Sequence, residues 1–320
     1  MWTFEPIFKS TIWGGDRIAS YKRISTADEN IGESWELSAV EGDESVVASG
    51  PHVGLTLTEL IEKYGARLMG QHNYERFGTR FPLLIKFIDA RDDLSVQVHP
   101  DDALAQKRGF ENGKTEMWYV IDAKKGATLI NGFSSPISAL DYRGMVADGT
   151  FTNVLRKTPI CKGEVFFIPA GRVHAIGAGA FLAEIQQTSD VTYRIFDYHR
   201  RDSDGRERTL HTDEAYAAID FSDISGEAIA YQRHPGIPVR VVTTPYFTTN
   251  ILIADSAMRR NYKEWDSFVV LIVTSGRCTL ATSNRSLNVE AGTTVLIAAE
   301  EEGVDILPEG DFEALETCIC

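Results

Sequence analysis

Gln97-Val98-His99-Pro100, followed by Lys114-Thr115-Glu116 and then by Pro169-Ala170-Gly171-Arg172-Val173-His174, is the part of the chain whose reading decides its fold. Gln97 and His99 stand two apart in the apolar run 94–99, and residues i and i+2 of a strand share a face, so both are predicted to look into one cavity. Glu116 opens the strand-like stretch Glu116-Met117-Trp118-Tyr119-Val120, where a carboxylate entering an apolar interior must be paired or coordinated. His174 follows Ile168-Pro169-Ala170-Gly171, a strand that ends in a tight turn and returns a side chain to the mouth of a barrel. Taken singly, His99 reads as a packed residue and Gln97 as an ordinary polar one. Together the four donors read as the ligand set of a divalent metal inside a β-barrel.

The surrounding sequence agrees with a mainly β fold. Stretches rich in β-branched and aromatic residues predict strands at 34–39, 83–89, 94–99, 116–122, 165–169, 181–187 and 193–198. Helical spacing interrupts them: Thr58 is read as the cap of a run containing Leu60, Ile61, Tyr64 and Leu68, residues 101–108 follow Pro100 with acidic groups in the first turn, and Ser135-Pro136 is read as the start of a helix through Met145. Helical insertions are thus expected near 56–70, 101–109, 135–157 and 212–219. His234-Pro235-Gly236-Ile237-Pro238 breaks the periodicity and marks a boundary, giving a metal-binding domain over 1–235 and a smaller all-β domain over 236–320. No histidine follows His234, so a histidine-based metal site is not expected in the second part.

Composition narrows the partners. A formal net charge of −14 over 320 residues argues against nucleic acid and anionic membranes, and no apolar run approaches the roughly 20 residues needed to cross a bilayer. A cytoplasmic enzyme is expected, its oligomeric state left open and a monomer compatible with the sequence. Cys161, Cys278, Cys318 and Cys320 form no disulfide framework, and Cys318-Ile319-Cys320 reads as a fraying end that makes a poor metal site.

The stretch 163–174, a glycine, five residues, Pro-x-Gly, two residues and a histidine, resembles the second motif of the cupin superfamily. Its usual closing asparagine is replaced by Ala178, and the common His-x-His of the first motif is replaced by Gln97-Val98-His99, with Glu116 arriving after an inserted helix. That departure, with Lys-x-Glu at 114–116, the run Glu184-Ile185-Gln186-Gln187-Thr188-Ser189-Asp190-Val191-Thr192-Tyr193-Arg194-Ile195-Phe196-Asp197, and Ile12-Trp13-Gly14-Gly15 and Gly32-Glu33-Ser34-Trp35-Glu36 near the start, resembles type I mannose-6-phosphate isomerases of the short bacterial kind. The resemblance implies a cupin (jelly-roll β-barrel) core with inserted helices and a smaller C-terminal cupin-like β domain. It also implies one Zn2+ per chain on Gln97, His99, Glu116 and His174, and a sugar-phosphate substrate passing through a cis-enediol(ate).

Further candidates surround those ligands. The resemblance makes Arg194 the active-site arginine, and a guanidinium suits forked contact with an enediolate or phosphate; the alternative reading is a salt bridge to Asp190 or Asp197. Lys114, two residues before Glu116, is expected to point into the same cavity as an acid/base or phosphate contact. Glu184 has no basic neighbour in its segment and reads as a general base. Asp190 is a candidate for ring opening or hydroxyl binding, and Trp13 for a pocket wall or a plain core residue. His52, His72, His199 and His211 read as surface residues, and 200–208 as a solvated loop in which Arg208 is a further candidate for a phosphate contact. A ferrous cupin oxygenase and a metal-holding protein without turnover are the competing readings; Lys114, Glu184 and Arg194 together speak against the latter.

Overall fold

The computed structural model describes residues 1–201 and 204–320, so two residues of the charged loop 200–208, Asp202 and Ser203, lie outside the described residues. The strand Leu83–Asp89 is buried at every position because it sits inside an antiparallel sheet covered on both faces. That sheet has the order Val165–Ile168, Glu116–Ala123, Ala180–Gln187, Leu83–Asp89, Ile31–Leu37, Ile7–Gly15. A second sheet, ordered Leu155–Pro159, Thr128–Phe133, His174–Ile176, Val96–Val98, Tyr193–Phe196, packs against its inner face. Trp118, Val120, Phe166, Ile168 and Leu182 of the first meet Leu129 and Ile176 of the second in one apolar cluster. Two antiparallel sheets closed face to face are the jelly-roll arrangement.

Residues beyond 238 repeat the plan on a smaller scale. A sheet ordered Val239–Thr243, Thr248–Ala254, Phe312–Cys318, Val269–Ser275, Thr294–Ile297 faces another ordered Met258–Asn261, Gly303–Pro308, Arg277–Ala281, Ser286–Glu290. Val269, Leu271, Leu280, Val304 and Ile306 fill the space between them. The two larger sheets then share a seam. Tyr119, Phe87 and Ile185 from one and Ile251, Val270, Ile272 and Leu315 from the other belong to a single buried cluster, together with Leu60, Ile61 and Leu68 of the helical insertion. Each such side chain removed from water contributes about 1.5–3 kcal/mol, so the seam ties both halves into one folding problem.

Most of the expected strands are present, and the differences have local causes. Leu57–Tyr64 is capped by Thr56 and not by Thr58: Thr56 Oγ1 accepts from the Glu59 N–H at 3.2 Å while Glu59 Oε2 accepts from the Thr56 N–H at 2.8 Å. That reciprocal box requires a carboxylate three residues after the cap, which Thr58 lacks. The helix expected from Ser135 begins after Ser138, whose hydroxyl accepts from the Asp141 N–H at 3.2 Å. It ends at Ala147, and residues 155–157 of the supposed insertion belong instead to the edge strand Leu155–Pro159. The expected fraying end is also a misreading: Cys318 closes a strand that lies in the middle of its sheet and pairs with Thr248. Among the described residues no helix is long and apolar enough to cross a membrane.

Candidate metal centre

Register builds the site. In the smaller sheet of the first half, Asn131 pairs with His174, His174 with Gln97, and Gln97 with Arg194. Directly opposed residues on antiparallel strands share a face, so these four side chains form one row across the inner surface. Across the barrel, Glu116 pairs with Gln186, and Glu184 is flanked by Trp118 on one side and Lys86 on the other. The Pro-x-Gly turn at 169–171 locks the two ligand segments together. Gly171 adopts φ +88°, a conformation that favours glycine, and its N–H donates to the His99 carbonyl at 2.9 Å.

His99, Glu116 and His174 converge as three buried donors whose ligand atoms lie within 4.8 Å of one another. Nε2 of His99 is 3.6 Å from Oε2 of Glu116, and Nε2 of His174 is 3.4 Å from Oε1. Each imidazole is oriented from behind: His99 Nδ1 donates to the Val191 carbonyl at 2.8 Å and His174 Nδ1 to the Arg172 carbonyl at 2.9 Å. Those bonds fix the tautomer and aim each Nε2 lone pair at the carboxylate. Arg172 is itself held by Asp223 at 2.7 Å and by the Phe167 carbonyl at 2.7 Å, which steadies the turn that carries His174.

The residues present fit a divalent cation. Nε2 of His99 and both oxygens of Glu116 are buried without a hydrogen-bond partner among the described residues, a costly arrangement unless something binds them. Burial drives both imidazoles toward the neutral form a metal needs, with His174 lowered to about 3. Burial, then the Glu184 carboxylate, raises Glu116 to about 8, against the pull of Lys114 and Lys86. Two imidazoles and one carboxylate suit zinc, and also iron, cobalt or manganese. Gln97 stands at the edge of this triangle. Its amide nitrogen is 3.3 Å from Nε2 of His174, and a half-turn of the amide would bring its oxygen to that side.

The remaining candidates are distributed around the triangle. Lys114 is buried with its Nζ 3.7 Å from Oε2 of Glu116. Arg194 is half-buried in the row; neither suggested carboxylate holds it, because Asp197 is taken by Arg200 and by Arg208 at 2.5 and 2.7 Å. Its Nη1 donates to the Thr209 carbonyl at 2.9 Å and its Nε has no partner among the described residues. Burial and the nearby Arg208 and Arg200 lower its pKa, with Asp197 opposing. Asp190 is exposed and lies on the rim of a surface cavity also lined by Arg108, Tyr193 and His211. Trp13 is buried in the apolar cluster with Ile88, Trp118 and Phe166, so it braces the barrel interior as a core residue.

Glu184 corrects the expectation of an unpaired carboxylate. Trp118 Nε1 donates to its Oε2 at 2.8 Å, and Lys86 Nζ lies 3.3 Å from its Oε1 and 3.4 Å from Glu33. The partner was hidden because it comes from the adjacent strand, a hundred residues away in sequence. Burial would lower the Lys86 pKa, but Glu33 and Glu184 outweigh it and hold it above the usual lysine range. A lysine in the middle of Leu83-Leu84-Ile85-Lys86-Phe87-Ile88 was the available signal, since such a charge persists inside a strand only when paired. His211 is the other correction. It is half-buried, and its Nδ1 accepts from the Arg194 N–H at 3.2 Å while its own N–H donates to the Arg194 carbonyl at 2.7 Å. His52, His72 and His199 are exposed as expected.

Comparison with known proteins agrees with this geometry. Residues 1–131 match the type I phosphomannose isomerase catalytic domain. The chain is 38% identical over 250 residues to mannose-6-phosphate isomerase of Streptococcus mutans, covering 76% of this chain and 77% of that protein. It is 40% identical over 222 residues to mannose-6-phosphate isomerase ManA of Bacillus subtilis, covering 69% and 68%. The crystal structure of mannose 6-phosphate isomerase from Bacillus subtilis superposes with a TM-score of 0.89 at 32% identity, covering 99% of this chain and 98% of that one. With its buried donors set on the matching barrel, this chain belongs to the type I mannose-6-phosphate isomerase family.

Proposed function

We propose that the chain interconverts mannose 6-phosphate and fructose 6-phosphate through a cis-enediol(ate), with one zinc ion per chain on His99, Glu116, His174 and Gln97. The observation that carries this reading is the set of inward-facing, unpartnered ligand atoms of His99 and Glu116, with buried Lys114 beside them and Arg194 in the row across the facing sheet. A zinc ion there would supply Lewis-acid stabilisation for oxygen that becomes anionic.

The protein's own groups have the remaining work. The reaction moves a proton from C2 to C1 and another between the two oxygens. Glu184 is the candidate for the carbon proton: the Trp118 N–H fixes one oxygen, and the other, 3.3 Å from Lys86 Nζ as an ion pair, accepts no hydrogen bond among the described residues. Lys114, with its Nζ 3.7 Å from Glu116 Oε2, is the candidate for exchanging the proton on oxygen. Arg194 offers a forked donor to an enediolate or phosphate oxygen, and Asp190 a rim carboxylate for a sugar hydroxyl. We assign this chemistry to residues 1–235 and a supporting role, through the shared seam, to residues 236–320. The acidic surface and the unpaired thiols suit a cytoplasmic enzyme acting on a free sugar phosphate.

The test is the metal content of the purified protein and a coupled assay for fructose 6-phosphate formed from mannose 6-phosphate. Arg194→Ala should abolish turnover with metal retained, and His174→Ala should lose both. Zinc-loaded protein without turnover would sink the reading; iron as the required metal would correct the cofactor alone.

A further inference from the structure

Away from the barrel, two thiols are held side by side. Cys318 is buried at the end of its strand and Cys320 is exposed, yet their sulfurs lie 2.8 Å apart. The residue between them explains the approach. The Ile319 N–H donates to Ser267 Oγ at 3.0 Å, its carbonyl accepts from Asn73 Nδ2 at 3.0 Å, and its side chain is buried in the shared seam. With its middle residue clamped at both backbone groups and at the side chain, the segment keeps its two sulfurs together without further ordering.

We infer that Cys318 and Cys320 form a redox-active dithiol that closes to an intrachain disulfide when it meets a hydroperoxide. Exposure makes Cys320 the attacking sulfur. Its thiolate attacks the peroxide, the O–O bond breaks, hydroxide or alkoxide leaves, and Cys320 becomes a sulfenic acid. The Cys318 sulfur then attacks, its thiol proton is lost, the S–O bond breaks and the oxygen departs as water. Two electrons pass from the pair of thiols to the peroxide, and the net products are one disulfide, one water and a second water or alcohol.

The surroundings support that division of roles. The hydrogen bond with Cys318 holds the Cys320 thiol below its usual range against the effect of burial, Arg240 adding to the lowering. That hydrogen bond and burial push Cys318 up. Cys278 is buried, and burial raises it to about 12. A metal would ask the sulfurs for further donors, and among the described residues the one group of three or more histidine, cysteine or carboxylate ligands in reach of one another is His99, Glu116 and His174.

The experiment exposes the full metal-loaded protein to stoichiometric hydrogen peroxide, alkylates the remaining thiols and reads the peptides by mass. The expected result is a peptide spanning Cys318-Ile319-Cys320 that has lost two hydrogens and takes no label, fully labelled Cys161 and Cys278, and complete reversal by dithiothreitol. Sulfinic acid on Cys320 beside an alkylated Cys318, a disulfide between two chains, or earlier oxidation of Cys161 would overturn the proposal. In Cys318→Ser the Cys320 sulfenic acid should persist and be captured by dimedone; failure to capture it would refute Cys320 as the attacking thiol. A second equivalent of zinc, held by the wild type and lost in Cys320→Ser, would assign the pair to metal binding and overturn it as well.

Discussion

The two halves of the molecule use one plan with opposite contents. In the first half the row across the smaller sheet is Asn131, His174, Gln97 and Arg194; in the second half a row across the smaller sheet is Met258, Ile306, Leu280 and Leu287. The third strand of each larger sheet carries a buried glutamate at its fifth position, Glu184 in one and Glu316 in the other. Glu316 is satisfied by protein: Arg260 donates from Nε at 2.7 Å and from Nη2 at 2.8 Å, Tyr262 from its hydroxyl at 2.7 Å and Asn250 from its amide at 2.8 Å. Glu184 keeps one oxygen without a hydrogen bond, and the nearby Glu116 keeps both. A barrel that fills its interior with apolar side chains and pairs its buried charge has spent that space on stability. The other barrel leaves buried acceptors without donors, which is the room the proposed cation and substrate would fill.

Breaking the open half should be the larger blow to activity. Glu116→Gln preserves shape but removes the anionic donor, so metal content should fall to background and kcat/KM by on the order of 10³-fold, read by metal analysis and the coupled assay. An active, metal-loaded Glu116→Gln enzyme would dissolve the contrast. The opposite pattern is expected on the closed side. Glu316→Ala leaves the Arg260 guanidinium, only 14% exposed, without its partner, which should cost about 3–5 kcal/mol in urea unfolding while the folded fraction keeps its metal. Metal loss from the folded fraction would mean that the seam couples the halves more tightly than their separate interiors suggest.

Arg194→Lys sharpens the comparison within the polar row itself. The charge is kept and the planar fork lost, so kcat/KM should drop by roughly 10²-fold with metal content unchanged. Activity within twofold of wild type, a span of about 0.4 kcal/mol, would show that Arg194 serves only its bond to the Thr209 carbonyl.

Much of the open half was legible in the sequence because its signals are local. Gln97 and His99 share a strand face, Pro169 and Gly171 announce the turn before His174, and Lys114 stands beside its ligand in the chain. What escaped was built across strands. Lys86 neutralises Glu184 only because strands Leu83–Asp89 and Ala180–Gln187 pair in one register, and no periodicity within either segment states that register. His211 failed for the same reason, its bonds to Arg194 being tertiary. The last strand, Phe312–Cys318, was missed because two acidic residues, Glu313 and Glu316, interrupt its apolar pattern. Both are buried, and their partners Tyr119, Arg233 and Arg260 lie far away in sequence.

The finest test of the closed half is Tyr262→Phe. It deletes one donor to Glu316 without opening a cavity, since the ring remains and is packed against Trp265 with centroids 5.1 Å apart. A hydrogen bond to a charged group contributes about 1.5–3 kcal/mol, and the two Arg260 donors and Asn250 remain to share the carboxylate, so the loss should sit at the lower end of that range. Turnover and metal content should not move. A loss as large as that of Glu316→Ala would instead mean that the four donors act as one cooperative unit, and the closed barrel would then depend on the complete pairing of its buried charge.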